Sequence, residues 1–143
     1  MDDGESEMVS EVIKNDLLKV IAKSTPGFVV EQLLETYTPE GLRNLSKKKK
    51  LFIATDFGKI LGTIGVHENL ISTLFIDPQY LDNGLRLDLL NHAEKLIKNQ
   101  NYSHVKAMTS IDEREFFEKQ GYEKALDIVI NDDLAGFEMV KAF

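Results

Sequence analysis

The chain has 143 residues, 43% of them apolar and 29% charged, with a formal net charge of -7 and no cysteine. This length predicts one globular domain, residues 1–143, with a core of its own, and the missing cysteine excludes disulfides, thiolate zinc sites and cysteine nucleophiles. The acidic balance argues against general nucleic-acid binding, and no apolar run approaches membrane length, so a cytoplasmic chain with no membrane partner is expected.

Residues 1–7 read as a frayed acidic tail. Residues 8–13 fit either a short strand with Val9, Glu11 and Ile13 on one face or the first turn of a helix. The strand is favoured, because Asn15 or Asp16 makes a natural N-cap for a helical set at Leu17, Leu18 and Ile21. Thr25-Pro26-Gly27 breaks that helix, and Val29, Val30, Leu33 and Leu34 carry a second one as far as Tyr37. Thr38 caps a third, with Pro39 in the first helical position, where a missing N–H costs nothing. Lysines 47–50 end it and read as a solvated helix terminus, where the dipole favours cations.

From Leu51 the apolar period changes. Strands over residues 51–55, 59–66 and 70–76, joined by turns at Asp56-Phe57-Gly58 and Glu68-Asn69, make a meander. Asp77-Pro78 stops the third strand, Asn83-Gly84 opens the next element, and Leu89, Leu90, Ala93, Leu96 and Ile97 recur at helical spacing. The glycine turn between a buried strand and a helix aims several backbone N–H groups at one spot, which suits a phosphate. A strand over 105–109, a short helix over 112–119 stopped by Gln120-Gly121, and a hairpin of 125–130 with 137–140 complete the chain. His67, His92 and His104 are scattered without carboxylates at ligand spacing, so no metal is expected.

Four stretches then stand in one order: Phe57-Gly58-Lys59-Ile60-Leu61-Gly62, Leu74-Phe75-Ile76-Asp77-Pro78-Gln79-Tyr80, Leu89-Leu90-Asn91-His92-Ala93-Glu94 and Phe116-Phe117-Glu118-Lys119-Gln120-Gly121-Tyr122. Together they resemble the GNAT superfamily of acyl-CoA-dependent N-acyltransferases over most of the chain. The resemblance implies an α/β (α+β) fold, a mixed, mostly antiparallel twisted sheet flanked by helices. In it the strand ending at Ile76 splays from the strand over 105–109 to form an acyl-CoA wedge. It implies acetyl-CoA as co-substrate, the pantetheine beside Leu74, Phe75 and Ile76, the pyrophosphate on residues 81–86, and further contacts from Ser110 and Phe117. The implied reaction is direct attack on the thioester by a primary amine of a small molecule or peptide, so positioning does most of the work. Backbone N–H groups of Phe75 and Ile76 would stabilise the oxyanion, and Glu68 and His67 are the candidate bases, acting through water. A homodimer is compatible with this reading.

The sequence departs from the family at two places. The family's pyrophosphate loop runs Q/R-x-x-G-x-G/A, whereas here Leu81, Asp82, Asn83, Gly84, Leu85 and Arg86 stand in the matching positions. The loop is degenerate, with only the central glycine kept. Backbone donors do not depend on side chains, so an anion site remains expected. Arg86 can bind phosphate itself and offset Asp82, or block the approach. The second departure is Phe117, where many members carry a tyrosine that protonates the departing thiolate. A thiol of pKa ~8.5 leaves tolerably without that help. Tyr122 reads as a core aromatic. An N-acetyltransferase is therefore expected. The alternative is a catalytically silent member of the fold that binds acyl-CoA or a protein partner as a regulatory or interaction module, with Leu81, Asp82, Arg86 and Phe117 as its evidence.

Overall fold

The computed structural model describes residues 1–81 and 84–143. Helices α1 (Asp3–Lys19), α2 (Gly27–Thr36) and α3 (Pro39–Leu45) precede strands β1 (Lys50–Asp56), β2 (Lys59–His67) and β3 (Leu70–Ile76). There follow α4 (Leu85–Asn99), β4 (His104–Thr109), α5 (Arg114–Lys119), β5 (Glu123–Ile130) and β6 (Asp133–Ala142).

The N-terminus corrects two expectations. One continuous helix, α1, replaces the frayed tail over 1–7 and the strand over 8–13. Val9, Val12, Ile13 and Leu17 are all buried, and their helical spacing outweighs the local alternation of Val9, Glu11 and Ile13. Asp2 caps the helix by accepting the Glu5 N–H at 2.7 Å, and Asp3 and Glu5 in the first turn complement the dipole. Asp16 is therefore not a cap. It sits inside α1, only 5% exposed, and its Oδ2 accepts the backbone N–H of Ile76 at 2.9 Å. That bond ties α1 to the end of β3.

The sheet runs β1-β2-β3-β4-β6-β5. Every neighbouring pair is antiparallel except β3 with β4, which α4 connects. This is the mixed, mostly antiparallel, helix-flanked sheet expected. One core joins α4 (Leu89, Leu90, Ala93, Ile97) to Ile64, Ile71, Ile76, Val105 and Met139 of the strands. A second joins α1–α3 to Ile60 and Phe75. Gly62 lets α4 approach, since an added Cβ would stand 3.0 Å from the Phe75 carbonyl oxygen and 3.2 Å from Leu89 Cδ1.

The parallel pair is short. β3 meets β4 only at Leu70–Lys106 and Ile71–Ala107, with the Lys106 N–H on the Asn69 carbonyl at 2.9 Å, whereas β4 keeps its register with β6 from His104 to Thr109. The cause lies in β3 itself. Its register with β2 shifts between Thr63 and Gly65, and Thr73 has a φ of 55°, a strained conformation for a β-branched residue. Such a bulge bends and twists its strand. Beyond Ile71, β3 leaves β4 and a wedge opens.

Phe117 does not line that wedge. It is 1% exposed and packs edge-on against Phe116 and Tyr122, with centroids at 5.3 and 5.1 Å. Of the two adjacent rings in the short helix α5, this is the one that turns inward. Tyr122 is also core, its hydroxyl donating to Glu94 of α4, whose carboxylate holds Lys141 Nζ at 3.2 Å.

Two consequences are measurable. Phe117→Tyr would bury a hydroxyl among these rings and should lower stability in denaturant by roughly 1–3 kcal/mol. An unchanged midpoint would contradict the packing. Burial pushes the Asp16 carboxyl up from 3.8 to about 7, against the opposing bond from Ile76. A carboxyl whose folded pKa is raised favours folding below its unfolded value, and that contribution disappears as pH climbs through the folded one. Asp16→Asn keeps an acceptor for Ile76, so it should match the parent near about pH 4 and melt several degrees higher near about pH 8. A parallel pH dependence of Tm in the two proteins would remove Asp16 from this account.

A candidate active site between β3 and β4

The wedge continues into a cavity of about 400 Å³ on the face covered by α1 and α2. Its walls are mostly apolar, with Val29 and Leu33 from α2, Leu74 and Phe75 from β3, and Ile128 and Ile130 from β5. Against these walls the polar side chains fall into two groups.

The first group lies at the bulge. Lys49 Nζ donates to Ser72 Oγ at 2.9 Å and to Thr73 Oγ1 at 3.3 Å, and the Tyr37 hydroxyl is 3.3 Å from the same Thr73 oxygen. These bonds hold Thr73 in its strained conformation. Burial lowers the Lys49 pKa and raises that of Tyr37, whose ring stands edge-on to Phe75 with centroids 5.1 Å apart.

Glu113 forms the second. It is 8% exposed, and its Oε1 accepts both the Ser110 N–H at 3.2 Å and the Ser110 hydroxyl at 2.9 Å. Desolvation pushes its carboxyl up from 4.5 to about 7, although the Ser110 bonds and the charge of Arg86 pull it down. It is the one carboxylate among the described lining residues. Thr25, also 8% exposed, faces the same cavity with a buried hydroxyl that has no hydrogen-bond partner among the described residues. An orphaned hydroxyl costs on the order of 1–3 kcal/mol unless something entering the cavity meets it.

The residues singled out in the sequence separate. Leu74, Phe75 and Ser110 line the cavity. Ile76 lies in the core, and its N–H is engaged by Asp16. Successive strand N–H groups point to opposite sides, so Phe75, which pairs with Thr63, turns its N–H into the β2 ladder. The same alternation puts the Leu74 N–H on the side away from β2, as it does that of Ile76. His67 and Glu68 are exposed, 3.8 Å apart, and border a different recess with Lys47 and Tyr102 at the closed end of β3. Lys49 lines both that recess and the cavity, whereas Glu113 and Thr25 line the cavity.

At the open end Gly84 takes a φ of 84° as the residue before α4, and an added Cβ there would meet nothing within 4 Å. Only glycine adopts that conformation without strain. Leu81 and Leu85 pack against the α4 core. The Arg86 guanidinium lies over the Phe116 ring at 4.9 Å, and its charge favours the ionised forms of both Asp16 and Glu113. Asp82 and Asn83 lie outside the described residues.

Sequence reasoning missed Asp16, Thr25, Tyr37, Lys49 and Glu113. Only Glu113 left a direct signal: Ser110-x-x-Glu113 is a capping box. Lys49 was hidden in a lysine run whose other members, Lys47, Lys48 and Lys50, are exposed.

Comparison with known proteins follows the same lines. No curated protein matches the chain. Among solved structures, a GCN5-related N-acetyltransferase from Rhodopseudomonas palustris superposes with a TM-score of 0.88 at 18% identity, covering 100% of this chain and 92% of that one. PaiA N-acetyltransferase from Thermoplasma acidophilum, in complex with coenzyme A, gives 0.77 at 20% identity over 100% and 96%. An aminoglycoside 6'-N-acetyltransferase complexed with coenzyme A gives 0.67 at 14% identity over 99% and 92%. These likenesses concern the fold. The family model for the acetyltransferase (GNAT) domain matches residues 14–143, nearly the whole chain, and the protein belongs to that family.

Proposed function

We propose that the protein transfers an acetyl group from acetyl-CoA to a primary amine of a small molecule or peptide. The observation that carries this reading is the parting of β3 from β4 beside a cavity whose described lining holds one buried carboxyl, Glu113. The residues fit the donor. Beyond Ile71 the edge of β3 is unpaired with β4 and can bond an extended amide chain, Thr25 offers an unused hydroxyl, and the space at Gly84 is open where α4 begins. Residues 81–86 would hold the pyrophosphate through backbone N–H groups, with Arg86 able to leave Phe116 and add its charge. When bound, acetyl-CoA supplies a thioester, an acyl group already activated toward amines.

The chain's own groups do the rest. The Leu74 N–H, directed at the wedge, polarises the carbonyl in place of the Phe75 and Ile76 donors. An amine of pKa ~10.4 arrives charged and must lose a proton. Glu113, at about 7, is the base placed to take it, in preference to His67 and Glu68. Its Oε1 is fixed by Ser110, so the second oxygen serves the acceptor. The apolar lining from Leu33, Ile128 and Ile130 keeps water from competing.

Acetyl-CoA and desulfo-CoA at millimolar concentration should both raise Tm. No shift with either would sink the donor site and favour the catalytically silent reading. With a panel of small amines and lysine peptides, Glu113→Gln should keep the Ser110 cap and the KM for acetyl-CoA but lower kcat by on the order of 100-fold. Ionisation of Glu113 makes the parent's rate climb through about pH 7, a limb that the variant should lack. A variant with the parent's profile would assign the base elsewhere.

A further inference from the structure

The cavity contains an amine of its own. Lys49 Nζ sits at the apex of the wedge, where β3 bulges, held by Ser72 Oγ and Thr73 Oγ1. None of the ion pairs among the described residues includes it, so no carboxylate pins it as a charge. Burial shifts it toward the neutral, nucleophilic form, while Lys47, Lys48 and Lys50 of the same run lie exposed on the surface. It shares one cavity with Leu74, which borders the donor's thioester on the proposed reading, and with Glu113, which can accept a proton.

We infer that Lys49 is a site of self-acetylation: with acetyl-CoA in the wedge and no substrate amine in place, Lys49 Nζ takes the acetyl group. The lone pair on Nζ forms a bond to the thioester carbonyl carbon, the carbon–sulfur bond breaks, and sulfur leaves with the electron pair. Nitrogen sheds one proton to Glu113, and that proton passes on to the departing sulfur, so the products are acetyl-lysine and coenzyme A and Glu113 is returned to its starting state. No other reactant is required. The acetylated side chain has lost its charge and part of its donor capacity toward Ser72 and Thr73, and it occupies space an acceptor needs. The modification therefore closes the site when donor is plentiful and acceptor scarce.

This inference rests on the proposed acetyl-CoA site, and the experiment separates the two. The full chain is incubated with acetyl-CoA without acceptor, its intact mass is measured, and its peptides are mapped. The expected result is one acetyl group, located on Lys49 and not on Lys47, Lys48 or Lys50, absent from Lys49→Arg and slowed about tenfold or more in Glu113→Gln. In urea the preference for Lys49 should vanish, because it depends on the fold. Acetyl groups spread along the lysine run of the folded protein, or equal labelling of Lys49→Arg, would overturn the inference. A thermal shift with acetyl-CoA but no acetyl-Lys49 would overturn it alone, while absence of both would overturn the donor site beneath it.

Discussion

Everything at the candidate site depends on a parallel strand pair that stops early. A parallel ladder between β3 and β4 could have continued to the strand ends, as β4 with β6 does, and the sheet would then have been closed. Thr73 prevents this. Holding a β-branched residue at a φ of 55° costs on the order of 1–3 kcal/mol, which the surrounding structure must offset. The offset is visible in the bonds from Lys49 and Tyr37 to the Thr73 hydroxyl and in the anchoring of Ile76 by Asp16 at the far end of the strand. Strain and site are thus the same feature, and Lys49 and Tyr37, which hold the bulge, also face the cavity.

This explains which parts of the molecule could be read from the sequence. The meander, the glycine turn and α4 follow local rules: alternation, a Pro stop and apolar residues at helical spacing. They appeared with bounds close to those observed. The N-terminal helix was misread because Asp16, a residue type that favours caps, lies mid-helix for a tertiary reason, its bond to a strand 60 positions away in the chain. β6 begins at Asp133 rather than near Phe137, since the turn needs only Asn131 and Asp132, both at positive φ.

The site was less legible than the fold, again for a physical reason. Its backbone features, Gly84 and the edge of β3, carry local signatures. Its side chains come from the end of α2, the loop before β1, the bulge in β3 and the turn after β4, and they meet only when the sheet twists. A lysine in a run of four gives no sign that it alone turns inward. His67 and Glu68 had the right chemistry for a base and stood next to β3, but a strand has two ends, and they occupy the closed one. The Ile76 N–H meets Asp16, a partner from a distant element, and that of Phe75 turns toward β2. Which side a strand N–H faces is set by register, and the bulge that sets it cannot be seen in the residue types.

Charge completes the account. In a chain of net charge -7, the polyanionic donor proposed above would meet an unfavourable field. Arg86 stands at the junction, its charge felt by both Asp16 and Glu113, two carboxyls that burial already pushes toward neutrality. A carboxyl held near about 7 is cheaper to keep neutral beside a pyrophosphate than an ordinary one, so raised acids soften the repulsion that their number would suggest. If Arg86 turns from Phe116 to a phosphate, its support for the ionised form of Glu113 weakens. Donor binding would then leave Glu113 more basic at the moment an amine must be deprotonated. Arg86 and the raised acid beside it are thus parts of one electrostatic arrangement.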